Sequence, residues 1–140
     1  MSNRQDKYTQ QSKQKEIFTD FLTDFDVNPD TGELYRNVNL FAIKQSLRSL
    51  ILTNKGERLF QGTVGSNIRK QIFELYTSET MVVLKKYIEA TMAFEPRSVY
   101  VDCVIVPSED NNGLHITIDF STITNPGVVQ SVTILLARVR

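Results

Sequence analysis

The chain has 140 residues, with 16 basic and 16 acidic side chains, one histidine and one cysteine; it is long enough to bury a core without covalent staples and too poor in thiols and imidazoles for an internal disulfide or a metal site. No apolar signal segment opens it and no run of about 18 apolar residues occurs, so the sequence predicts a cytoplasmic product with no secretion signal and no membrane span. The zero net charge is unevenly spread, with Arg36, Lys44, Arg48, Lys55, Arg58, Arg69 and Lys70 opposed only by Glu57 between residues 36 and 70; this bipolar chain lacks the unopposed basic face of a free nucleic-acid binder and favours a fixed protein partner.

Residues 1 to 16 are rich in Gln, Lys and Ser and can bury little apolar area, which predicts a mobile or partner-ordered arm before a single domain over 17 to 140. The stretch FTDFLTDFDVNPDTGELYRNVN then mixes aromatics with aspartates around NPDTG, a strong turn signal, and reads as an irregular segment with short strands around it. Asn39 is the expected N-cap of a helix over 40 to 53, because Leu40, Ile43, Leu47, Leu50 and Ile51 recur at helical spacing. Asn54 and Gly56 supply a left-handed stop. A shorter helix over 65 to 75 would turn Ile68, Ile72 and Leu75 inward, and a third over 79 to 94, capped by Ser78, would carry the stripe Met81, Leu84, Ile88 and Met92. Pro96 ends it, since proline lacks the helical N–H and drives the residue before it out of the α region.

Beyond Pro96 the period falls from 3.6 to 2. SVYVDCVIVP is expected to place Val99, Val101, Cys103 and Ile105 on one face; LHITIDFS alternates Leu114, Ile116, Ile118 and Phe120 inward with His115, Thr117, Asp119 and Ser121 outward. After the turn TNPG, VVQSVTILLARVR supplies a third strand. Helices followed by strands give an α+β fold class: about three helices packed on one face of a small, mainly antiparallel three-stranded sheet.

No motif for catalysis or for a cofactor is present. GTVGS lacks the spacing and the Lys-Ser/Thr ending of a phosphate loop; His115 reads as a surface residue, and Cys103 as a buried apolar thiol. Glu57 and Glu95 could be paired as glycosidase carboxylates, but Arg58 and Arg97 beside them would lower a carboxyl pKa where a general acid needs it raised. Gly56, Glu57 and Arg58 read as a structural turn, with Arg58 bonding helix carbonyls and Leu59 and Phe60 entering the core. Glu95 and Arg97 flank a proline that fixes their turn. Either both charges are displayed to a partner, or they pair with each other and brace the turn.

IKQSLRSLILTNKGERLFQGTVGSNIRKQIFE, followed by FEPRSVYV and the C-terminal ITIDF and LLARVR, resembles the small baseplate wedge proteins of T4-like phages, a contractile-tail family related to the wedge subunits of type VI secretion baseplates. The likeness spans roughly residues 20 to 140, and its most specific parts are SLRSLILTNKGERLF and the triplet Glu95, Pro96 and Arg97. It implies a structural subunit of the virion tail baseplate, present in six copies and assembled in the host cytoplasm. Glu95–Pro96–Arg97 would clamp the helical core bundle of the larger wedge proteins, and the sheet would face the tail sheath, with tail tube or hub proteins as further neighbours. The alternatives carried beside it are a tail-associated peptidoglycan hydrolase and the equivalent subunit of a bacterial secretion system. The last strand is long, apolar and free of lysine, with Arg138 and Arg140 only at its end, so its edge is undefended against another chain. Val129, Ser131, Thr133 and Leu135 are the candidate sheath-contacting positions; cover by a helix or by the arm of the same chain is the other reading.

Overall fold

The computed structural model describes residues 17 to 71, 77 to 109 and 112 to 137, and the chain divides into two compact units, Met1–Gln45 and Ser46–Arg140. The expected arm over 1 to 16, the helix beyond Gln71 with Ile72 and Leu75, and Arg138 and Arg140 lie outside the described residues.

In the first unit, strands β1 (Thr19–Phe21) and β2 (Arg36–Val38) pair antiparallel with Thr19 opposite Val38. NPDTG turns the chain between them as its residues dictate. Asn28 Oδ1 accepts from the Asp30 amide at 2.9 Å, and the Gly32 amide donates to the Asn28 carbonyl, also at 2.9 Å. Helix α1 (Leu40–Leu52) starts where Asn39 predicts, with the Asn39 carbonyl accepting from the Ile43 amide at 3.1 Å. The Asn39 side-chain oxygen reaches backwards to the amides of Ile17 and Phe18, at 2.9 and 3.2 Å. Its φ of +49° lies in the left-handed region that asparagine tolerates better than most residues. Ala42, Ile43, Leu47 and Ile51 are buried on one side of the helix.

The second unit contains the rest of α1, helix α2 (Ile68–Gln71), helix α3 (Ser78–Met92) and strands β3 (Ser98–Pro107), β4 (Gly113–Thr122) and β5 (Asn125–Ala137). Thr77, one residue before the expected Ser78, caps α3 by accepting from the Thr80 amide at 3.2 Å. Leu84, Ile88 and Met92 are buried as their spacing predicts, and α3 packs on β3 while α2 packs on α3. The strands form a meander in the order β3-β4-β5. Leu114, Ile116, Ile118 and Phe120 are fully buried, as their alternation predicts, but Ser121, expected outward, is buried as well, beside the irregularity in pairing with β5 between Ser121 and Thr122. Burial of each such apolar side chain contributes about 1.5–3 kcal/mol.

The second helix begins at Ile68 rather than at 65, and the structure departs from the expected fold elsewhere too. A separate two-stranded sheet, β1–β2, accompanies the three-stranded one. In β3, Cys103 is buried and Ile105 partly so, but Val99 and Val101 are about half exposed. A β-bulge between Tyr100 and Asp102 inserts one residue, so Tyr100 opposes Phe120 and Asp102 opposes Asp119. The extra residue shifts the alternation by one and moves the first two valines to the outer face.

Candidate interaction surfaces

After Met92 the chain folds into a tight turn, with the Glu95 amide donating to the Met92 carbonyl at 3.0 Å and the Ser98 amide to the Glu95 carbonyl at 3.2 Å. Pro96 is exposed at its tip. Glu95 is 4% exposed and accepts a forked pair from Arg97, Nε to Oε1 at 2.5 Å and Nη2 to Oε2 at 2.8 Å. The hydroxyl of Ser46, on α1, donates to Oε2 as well. Burial pushes the Glu95 carboxyl up, but the Arg97 guanidinium and the Ser46 hydroxyl outweigh it and hold the carboxyl below its ordinary value. The two charges therefore pair with each other inside the chain. Ser46 was missed by sequence reasoning, although a serine beside the Ile43, Leu47 and Leu50 stripe was its one signal.

The GERLF segment lies in a loop whose ends are tied by the Ser66 amide to the Thr53 carbonyl at 2.8 Å and by the Ser66 hydroxyl to the Ile51 carbonyl at 2.6 Å. Gly56 takes φ +87°, and its amide donates to the Gly62 carbonyl at 2.9 Å. Within this turn the Glu57 carboxylate accepts from the Asn54 amide at 2.8 Å. Arg58, expected to bond helix carbonyls, instead lines a cavity of about 330 Å³ with Ser46, Ser49, Thr53, Gln61 and Phe94. Leu59 and Phe60 do not enter the core: they are 85% and 104% exposed, and Phe60 sits at φ +67°, a costly conformation for a bulky side chain.

The sheet has two unlike edges. The Ser108 amide donates to the Gly113 carbonyl at 2.9 Å and the Ile123 amide to the Arg97 carbonyl at 3.1 Å, so odd-numbered backbone groups of β4 face β3 and even-numbered ones face β5. Pairing of Ile116 with Ile134 and of Ile118 with Val132 then turns the backbone N–H groups of Val129, Ser131, Thr133 and Leu135 to the outer edge. No strand pairs with that edge among the described residues. The β3 edge is obstructed by comparison. Its outward amide at Cys103 is taken by Asp102 Oδ1 at 2.7 Å, and that at Ser98 by the Glu95 carbonyl at 3.2 Å. Pro107 has no N–H, and the bulge breaks the line between. Lys85 also reaches Asp102, at 3.4 Å.

Glu57 is engaged by Asn54, and Glu95 is held ionised, the opposite of what a general acid needs. His115 is exposed, and Cys103 is buried, its thiol pushed up by that burial.

No protein-family model matches the chain. Over 118 residues it is 30% identical to the baseplate wedge protein gp25 of Enterobacteria phage T4, a match that covers 80% of this chain and 89% of that protein. Among solved structures, the fold is similar to that of a Geobacter sulfurreducens protein provisionally named a tail lysozyme, with a TM-score of 0.62 and 18% identity over 70% of this chain and 89% of that one. It is also similar to a chain in the six-fold symmetrised baseplate of the anti-feeding prophage, with a TM-score of 0.61 and 22% identity over 88% of this chain and 87% of that one. At those identities the two structures speak for the fold alone.

Proposed function

The chain belongs to the family of baseplate wedge proteins that includes gp25 of phage T4, and from that membership we propose that it works as a non-catalytic inner wedge subunit on which a contractile tail begins its sheath. Six copies would surround the tail axis of the virion, assembled in the host cytoplasm, with tube or hub proteins nearby. The Glu95–Pro96–Arg97 turn would clamp the helical core bundle of the larger wedge proteins. Because Glu95 is already engaged by Arg97 and Ser46, its part is to aim the guanidinium, while Pro96 and the exposed quarter of Arg97 meet the bundle.

The observation that carries the sheath reading is the contrast between the two sheet edges. A strand offering outward N–H groups at Val129, Ser131, Thr133 and Leu135, opposite an edge blocked by Asp102, a bulge and Pro107, is suited to accept a partner strand on one side only. The test uses proline at two kinds of position. Ser131→Pro and Thr133→Pro each delete an outward N–H; Gln130→Pro deletes one that faces β4. Tails carrying Ser131→Pro or Thr133→Pro, with the subunit folded and wedges complete, are expected not to initiate sheath. Full-length sheath at the parental rate in both variants would overturn the strand-pairing mechanism.

A further inference from the structure

The cavity beside Arg58 borders the Glu95–Pro96–Arg97 turn, because Ser46, which holds Glu95, and Phe94, which precedes it, both line it. We propose that this cavity receives a carboxylate side chain from an acidic segment of a wedge partner, with Leu59 and Phe60 seated against that segment. The inference rests on the reading that the turn faces the larger wedge proteins, and it assigns a second anchor and its chemistry.

Charge complementarity names the occupant. Arg48, Lys55, Arg58, Arg69 and Lys70 are all exposed and make no ion pair among the described residues. The one acid in that part of the sequence, Glu57, is engaged by the Asn54 amide. Of these cations Arg58 lines the cavity, and because it forms no ion pair or hydrogen bond among the described residues it brings an unpaired planar fork of donors to the cavity wall. Gln61 and Ser49 add polar atoms to the wall, whereas the hydroxyls of Ser46 and Thr53 already donate, to Glu95 and to the Ser49 carbonyl. Leu59 and Phe60 lie in sequence between two lining residues, Arg58 and Gln61. Their exposure gives the isolated chain nothing, and Phe60 is held in a left-handed conformation on a loop tied at both ends. An apolar pair next to an arginine is the composition of an interface anchor.

The test places a photo-crosslinking phenylalanine analogue at position 60 of the full chain in assembling baseplates and measures incorporation of variants alongside. Expected are a cross-link to a wedge-protein peptide bearing Asp or Glu, loss of at least tenfold of that cross-link in Arg58→Glu, and its recovery when the cross-linked acid is changed to Lys. Arg58→Glu should melt with the parent, since Arg58 holds nothing in the fold. Parental incorporation of Arg58→Glu while Arg97→Ala, confirmed folded at the assembly temperature, fails to incorporate would remove the cavity proposal and leave the role of the turn standing. Parental incorporation of both would remove both. A cross-link to nucleic acid, to sheath alone or to a peptide without an acid would also overturn the proposal.

Discussion

Replacing Arg97 by Ala tests whether the turn is braced from within. Taken as an exposed ion pair, as the sequence allows, the loss would be about 0–1 kcal/mol. The structure changes the arithmetic, because the carboxylate left behind is 4% exposed. Removing one partner of a fully buried pair costs about 3–5 kcal/mol. The Ser46 hydroxyl stays to offset roughly 1 kcal/mol, and the 25% exposed Arg97 side chain shows that some water already reaches the site. The expected destabilisation is therefore about 2–3 kcal/mol, or roughly 10 °C in thermal midpoint for a domain of this size. Ser46→Ala should cost about 1 kcal/mol, and the double variant should cost less than the sum, because both act on one carboxylate. Urea unfolding followed by circular dichroism, with an unchanged m-value, is the measurement. A loss below about 0.5 kcal/mol for Arg97→Ala would refute the bracing and leave the pair an ordinary surface contact.

The folded-state pKa of Glu95 lies below its ordinary 4.5, so the stability it contributes is fully present above that pH and is lost as pH falls through the folded value. The stability gap between parent and Glu95→Gln should hold from neutral pH to about 5 and close below it, and a gap that widens in acid would contradict the assignment. Phe60→Asn keeps the left-handed φ with a residue that tolerates it and gives up no burial, so the isolated protein should gain about 0.5–1 kcal/mol while its incorporation into baseplates falls. A loss of stability in that variant would mean that the ring packs against the chain.

The parts of the fold that were legible were those set by local rules. The α3 stripe from Leu84 to Met92, the turn at Pro96 and the alternation in β4 from Leu114 to Phe120 each follow from spacing that a neighbour cannot easily override, whereas Met81 is only partly covered and Ser121 is buried against its expected outward face. The phase of β3 was not legible, because valines suit either face of a strand and the bulge at Val101 depends on pairing with Asp119 in a strand not yet formed. β1 and β2, at three residues each, are too short to show a period. At the candidate site, the turn and its charged pair could be read. The serine that shares the carboxylate could not, since 49 residues separate Ser46 from Glu95. Leu59 and Phe60 misled for a related reason: apolar character says what burial would gain, while the ties on Gly56, Glu57 and Ser66 decide where the loop points.

One carboxylate thus holds two bonds of very different reach. The fork from Arg97 closes over two residues, and the bond from Ser46 over 49. Local closure costs little chain entropy and can form while most of the molecule is still unfolded, whereas the long contact waits until α1 and α3 are in place. On that ground Ser46→Ala is expected to speed unfolding more than it slows folding, a split that a chevron analysis would read. Loss of the Ser46 bond alone would leave the Arg97 fork closed and the turn intact.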